Sequence, residues 1–122
     1  MKDVKRKNEL RELVNLATNC MGVAVSIIDT KGMLLYYNQH AAKILDRKPE
    51  YVGTDIHSHH KRSRSNQKVD KMLKEFELGR KEPFHYKAKP YGEIIFVTLS
   101  PIIKNDEFIG CVQTVRPKDN AN

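Results

Sequence analysis

Val23-Ala24-Val25-Ser26-Ile27-Ile28-Asp29-Thr30-Lys31-Gly32-Met33-Leu34-Leu35-Tyr36-Tyr37-Asn38 sets the first long-range pairing this chain can make. Residues 23–28 are rich in β-branched side chains, and residues 33–37 form a second apolar run. Asp29-Thr30-Lys31-Gly32 between them supplies a Gly-containing turn, so the whole reads as a β-hairpin. Asn38 closes the second strand. Its side-chain oxygen can accept from an unpaired backbone N–H at a helix start, which predicts a short helix over 39–45.

On the N-terminal side, Leu10, Leu13, Val14, Ala17, Cys20 and Met21 recur at three- and four-residue spacing and predict a helix with one apolar stripe, stopped by Gly22. On the C-terminal side, Pro49 and Gly53 bracket a single helical turn. Val69, Met72, Leu73 and Phe76 then predict a longer helix between Ser65 and Gly79. Strands follow at 83–89, 93–103 and 108–115, separated by turns at Pro90-Tyr91-Gly92 and Lys104-Asn105-Asp106-Glu107. Strands split by a helical block imply an α+β domain whose helices cover one face of an antiparallel sheet. The expected division is a helix over 1–21, for dimerisation or capping, a domain over 22–116 and a polar tail over 117–122.

The totals narrow the function. At 122 residues the chain holds one domain and one core. Its longest apolar runs are strand-sized, well short of the roughly 20 residues that span a bilayer. The basic N-terminus leads into a charged helix and not an apolar signal core, so a cytoplasmic location is expected, without membrane contact. Cys20 and Cys111 form no CxxC pair and read as reduced thiols. The net charge of +7 is spread along the chain, and no helix-turn-helix or RNP-like pattern accompanies it, which argues against direct nucleic-acid binding. No nucleophile beside a base, GxSxG elbow or Walker loop is present, so no enzyme is expected.

In order and spacing these segments resemble the PAS family of sensory domains. The likeness covers residues 22–116 and is carried by the hairpin with its Asp-x-x-Gly turn, by Leu35-Tyr36-Tyr37-Asn38-Gln39-His40-Ala41-Ala42, by Val52-Gly53, and by Ser100-Pro101-Ile102-Ile103 with Phe108-Ile109-Gly110-Cys111-Val112. It implies a five-stranded antiparallel sheet with helices over one face, signal sensing, often a small molecule or cofactor under the helices, and often dimerisation through a helix outside the sheet. Residues 57–65 are similar to a subgroup with a His-rich stretch, sometimes Cys-His-Pro, before the long helix. Here His59-His60-Lys61 stands in its place, lacking both Cys and Pro.

Candidate site residues follow from these readings. A ligand under the helices would meet Ile28, Tyr36, Asn38, Ile44, Val69, Leu73, Phe76, Phe96 and Leu99. A small anionic ligand would sit at the start of the long helix, near His57, His60, Arg64 and Ser65, where backbone N–H groups and the basic Lys61, Arg62 and Lys68 converge. An apolar ligand or a signalling protein partner are the other options, and a homodimer through the N-terminal helix is expected. The alternative is a haem or metal centre for redox or gas sensing, built from His57, His59 and His60 with His85 as a distant partner. The plainer reading of that segment is a solvated polar loop.

Overall fold

The computed structural model describes residues 2–45, 47–56, 63–89 and 92–118, with the side chains of residues 2 and 63–67 left aside. Helix α1 (Lys2–Asn19) leads into β1 (Ala24–Ile28) and β2 (Leu34–Tyr37). Then come α2 (Gln39–Ile44), a 3₁₀ turn (Pro49–Tyr51), α3 (Ser63–Glu77), β3 (Phe84–Ala88), β4 (Ile95–Lys104) and β5 (Glu107–Pro117). The strands form one sheet in the order β2-β1-β5-β4-β3, and every neighbouring pair is antiparallel. This is the five-stranded antiparallel sheet that the strand order in the sequence implied.

Alternation decides which side chains the sheet buries. On β4, Ile95, Val97 and Leu99 are buried, and on β1 so are Ala24, Ser26 and Ile28. Cross-strand pairs continue that face: Val97 with Val115, Pro101 with Cys111, and Tyr86 with Val97. Helix α3 lays Val69, Met72, Leu73 and Phe76 onto it, an i, i+3, i+4, i+7 set that forms one face of a helix. Phe76, at 1% exposure, meets Phe84 edge-on at 5.2 Å and Phe108 at 5.5 Å between ring centroids. Each such fully buried side chain contributes about 1.5–3 kcal/mol.

Local chemistry fixes the turns. The Asp29 carboxylate accepts from the backbone N–H groups of Lys31 and Met33, both at 2.9 Å, and holds the first hairpin. At the β4–β5 hairpin Asn105 and Asp106 both have positive φ, 51° and 64°, the pair of left-handed residues that a two-residue loop requires. Gly110 is needed for a different reason: a Cβ there would stand 2.6 Å from the Ile28 carbonyl oxygen on the neighbouring strand.

Helix α1 joins the domain by its last turns. Asn15 and Thr18 both hydrogen-bond the Tyr36 hydroxyl, and the Asn19 side chain accepts from the Gln39 N–H at 2.8 Å. Its apolar side chains Leu10, Leu13, Val14 and Leu16 remain between 51% and 61% exposed. The predicted stripe is therefore not spent on this domain's own core.

Candidate functional site

The space between sheet and helices holds two apolar clusters, not one. Ile28, Leu34, Ile56, Leu99 and Cys111 pack with the apolar face of α3. Ala24, Ala41, Ile95, Val97 and Val115 form the second, with Ile44 and Leu45 of the α2 region against it. A polar row runs between them. On β1 the inward positions read Ala24, Ser26, Ile28, and on β5 they read Val115, Gln113, Cys111. Ser26 and Gln113 are register partners and sit where the clusters divide.

Two further side chains complete the row. Arg47, just after α2, is 6% exposed and donates through Nη2 to Gln113 Oε1 at 3.3 Å. Tyr86 of β3 also hydrogen-bonds the Gln113 side chain, and burial raises its hydroxyl pKa above the usual value, partly offset by that bond. The Ser26 hydroxyl is wholly buried and has no hydrogen-bond partner among the described residues. Leaving such a group unsatisfied costs about 1–3 kcal/mol. The row thus concentrates donors and one cation in an otherwise apolar interior, an arrangement suited to orienting a small polar molecule.

The family model for the PAS domain matches residues 13–116, the sheet and both covering helices included. This chain belongs to the PAS domain family. PAS domains are signal-sensing modules, and the fold agrees. A C-terminal domain from Streptococcus mutans superposes with a TM-score of 0.69 at 22% identity, over 87% of this chain and 83% of that one. The PAS domain of Bordetella pertussis BvgS gives 0.70 at 12% identity, over 89% and 86%. The photoactive yellow protein domain of the sensor histidine kinase Ppr from Rhodospirillum centenum gives 0.62 at 13%, over 84% and 91%. No curated protein matches the sequence.

Within this PAS domain the expected site residues scatter. Val69, Leu73, Phe76, Ile28 and Leu99 are core, Ile44 packs at the edge of the second cluster, and Asn38 is 2% exposed at the start of α2. Asn38 caps that helix as expected, its Oδ1 accepting from Ala41 N–H at 3.0 Å. Two placements differ from the sequence reading. Phe96 lies between the inward Ile95 and Val97, so it faces away from the helices, where Arg116 and Lys87 approach its ring at 5.0 Å and 5.7 Å. Tyr36 should share the inward face of Leu34 by simple alternation. The register instead slips by one residue at Leu35, because Ile27 pairs with Tyr36 while Ile28 pairs with Leu34, and Tyr36 turns outward to α1.

The remaining calls meet the structure less directly. His57, His59 and His60 lie outside the described residues, as do the side chains of Arg64 and Ser65. His85 is on the outward face, exposed, with Nδ1 3.1 Å from Thr98 Oγ1. Among the described residues no three His, Cys, Asp or Glu side chains cluster as metal ligands, and no helix is long and apolar enough to cross a membrane. A groove of about 500 Å³ opens on the outward face, between Met21 and Val23 on one side and Phe96, Thr98, Thr114 and Arg116 on the other.

Ser26, Arg47, Tyr86 and Gln113 were not singled out from the sequence. The signal was present in the alternation itself: Ser26 and Gln113 occupy inward positions that their neighbours Ala24, Ile28, Cys111 and Val115 fill with apolar groups. A polar residue at an intended core position is informative wherever the period is trusted.

Proposed function

We propose that this PAS domain senses a small molecule held at the polar row between sheet and helices, and relays binding through α1 to a second copy of the chain. The observation that carries the reading is the Ser26 hydroxyl, fully buried and without a hydrogen-bond partner among the described residues, in the row with Gln113, Arg47 and Tyr86. Buried polar groups are ordinarily hydrogen-bonded, and a guest at the row supplies a partner for this one. The exposed Leu10, Leu13, Val14 and Leu16 support the second half, since an apolar helix face of this kind is stabilised by a partner helix.

The mechanism needs two states with different affinities for the molecule. A guest at the row touches Arg47 and displaces the α2 end of the domain. Asn38 then carries the displacement outward, because its side chain bonds both the start of α2 and the end of α1. No catalytic step is assigned to this chain.

Native mass spectrometry of the protein purified without added ligand tests the first half. A retained small molecule, lost or weakened in Gln113→Ala, is the expected result. Absence of any retained mass, together with a soluble-metabolite screen that leaves the Ser26 and Gln113 amide resonances unmoved, would sink it. For the relay, Leu13→Glu should convert a dimer to a monomer in sedimentation velocity, and an unchanged sedimentation coefficient counts against α1 as the contact.

A further inference from the structure

The outward face of the sheet carries chemistry that the polar row beneath the helices does not use. Register sets it out in two adjacent cross-strand lines. Lys87 pairs with Phe96 and Phe96 with Arg116, while His85 pairs with Thr98 and Thr98 with Thr114. Cross-strand partners share a face, so all six side chains stand together on the side away from α3. The groove of about 500 Å³ lies over them, within the size range of small-molecule sites, and Met21 and Val23 add apolar surface to it.

We infer that this groove binds an aromatic anion, its ring laid against Phe96 and its charged group held by Arg116 and Lys87. Among the described residues that line the groove there is no Asp or Glu, whereas His85, Lys87 and Arg116 are all present. Arg116 and Lys87 approach the same Phe96 ring, at 5.0 Å and 5.7 Å, and neither pairs with a carboxylate among the described residues. Two like charges beside one ring repel each other, and an anion bound to both reverses the sign of that interaction through charge-assisted hydrogen bonds. The guanidinium adds a planar fork that takes a carboxylate or phosphate through two parallel contacts. The apolar part of the lining selects the body of the molecule. Phe96 is half-buried and faces outward, so a flat ring can stack on it and also meet the guanidinium plane. A bare anion would use the cations and leave Phe96, Met21 and Val23 wet. A neutral ring would do the reverse. His85, held through Nδ1 to Thr98 Oγ1 at 3.1 Å, and the Thr114 hydroxyl add polar contacts along the second line.

Two-dimensional amide NMR of the full chain, at constant ionic strength, tests this with four compounds. Naphthoate and naphthyl phosphate carry ring and charge, decahydronaphthoate keeps the charge without the aromatic ring, and naphthylmethanol keeps the ring without the charge. Saturable shifts at Lys87, Phe96, Thr98 and Thr114 are expected with the first two, and binding about fivefold weaker or worse with the others. The tighter of the first two names the headgroup. Arg116→Gln should weaken binding about tenfold and Phe96→Leu about fivefold, while Lys104→Gln, which removes the same charge at the far end of β4, should leave it unchanged. All three positions are at least partly exposed, and amide dispersion confirms that each variant folds. Equal binding of decahydronaphthoate or of naphthylmethanol overturns the class. An equal loss in Lys104→Gln would reduce the effect to the net charge of the chain and overturn the site. Shifts centred on Ala41 and Leu73 would place the ligand under the helices, against the outward groove. With no saturable shift from either aromatic anion the inference fails, and Phe96 and Thr114 resonances that respond to protein concentration then assign the groove to a second copy.

Discussion

The side-chain amide of Asn38 donates to the backbone carbonyl of Thr18 at 2.9 Å, joining the first residue before α2 to the last turn of α1. The same side chain donates to the Val23 carbonyl at 2.9 Å and accepts from the N–H groups of Val25 at 2.9 Å and Ala41 at 3.0 Å. Four bonds from one buried residue thus hold α1, β1 and α2 in register. Asn38→Ala leaves these backbone groups without a partner, and a loss of about 3–5 kcal/mol is expected in urea unfolding. Asn38→Asp keeps the acceptor side and sets a carboxylate against two carbonyls, so hydrogen exchange should quicken near Thr18 and Val23 more than at Ala41. A uniform change at all of these positions would contradict that division of roles.

Gly110 is a second point where one atom decides. The added methyl in Gly110→Ala would meet the Ile28 carbonyl oxygen at 2.6 Å, and that oxygen belongs to backbone inside the β1–β5 pair. The strands must separate locally, so a loss on the order of 2–3 kcal/mol is expected from thermal and chemical unfolding. A variant as stable as the parent would show that the ladder yields freely there.

Much of this architecture was legible because short-range chemistry and long-range packing agree in it. The Asp29 turn, the Asn38 cap and the stripe of α3 each announce an element through residues close together in sequence. The candidate site was less legible because it is assembled across the sheet. Ser26 and Gln113 are brought together by the β1–β5 pairing, which joins the start of the domain to its end. Tyr36 was misplaced because a one-residue slip in pairing reverses a strand's faces without leaving a mark in composition.

Ser26→Ala separates stability from sensing. Removing a buried hydroxyl that has no partner among the described residues relieves its desolvation cost, so the ligand-free protein should gain about 1 kcal/mol while its affinity for the guest falls. Urea midpoints with and without ligand check both signs. A loss of stability in the ligand-free variant would mean that an ordered water already satisfies the hydroxyl.

The β4–β5 hairpin offers a stabilising change that leaves the interior alone. Asp106 holds φ at 64°, a conformation that glycine adopts without a steric cost, and Asn105 before it already suits the turn. Asp106→Gly gives up an ion pair with Lys81 at 3.7 Å, but both side chains are 65% or more exposed. Such a surface pair contributes little. Relief of the left-handed backbone is the larger effect, and a rise of a few tenths to about 1 kcal/mol is expected. A fall in the unfolding midpoint would show that the ion pair, and not the backbone, governs this turn.

The last prediction concerns alkaline pH. Burial pushes the Cys111 thiol from its usual 9.0 up to about 12, because the folded interior disfavours the thiolate. Between those values the folded chain keeps a proton that the unfolded chain releases. The contribution is therefore fully present below pH 9 and is lost as pH rises toward 12, with a slope approaching about 1.4 kcal/mol per pH unit. The raised Tyr86 hydroxyl adds to the same trend above pH 10. Cys111→Ala lowers stability at pH 7 by opening a small void, yet its stability should decline less steeply between pH 9 and 10 than the parent's. Urea titrations at pH 7, 9 and 10 read the slope independently of that offset, and parallel curves for the two proteins would rule out Cys111 as the group responsible.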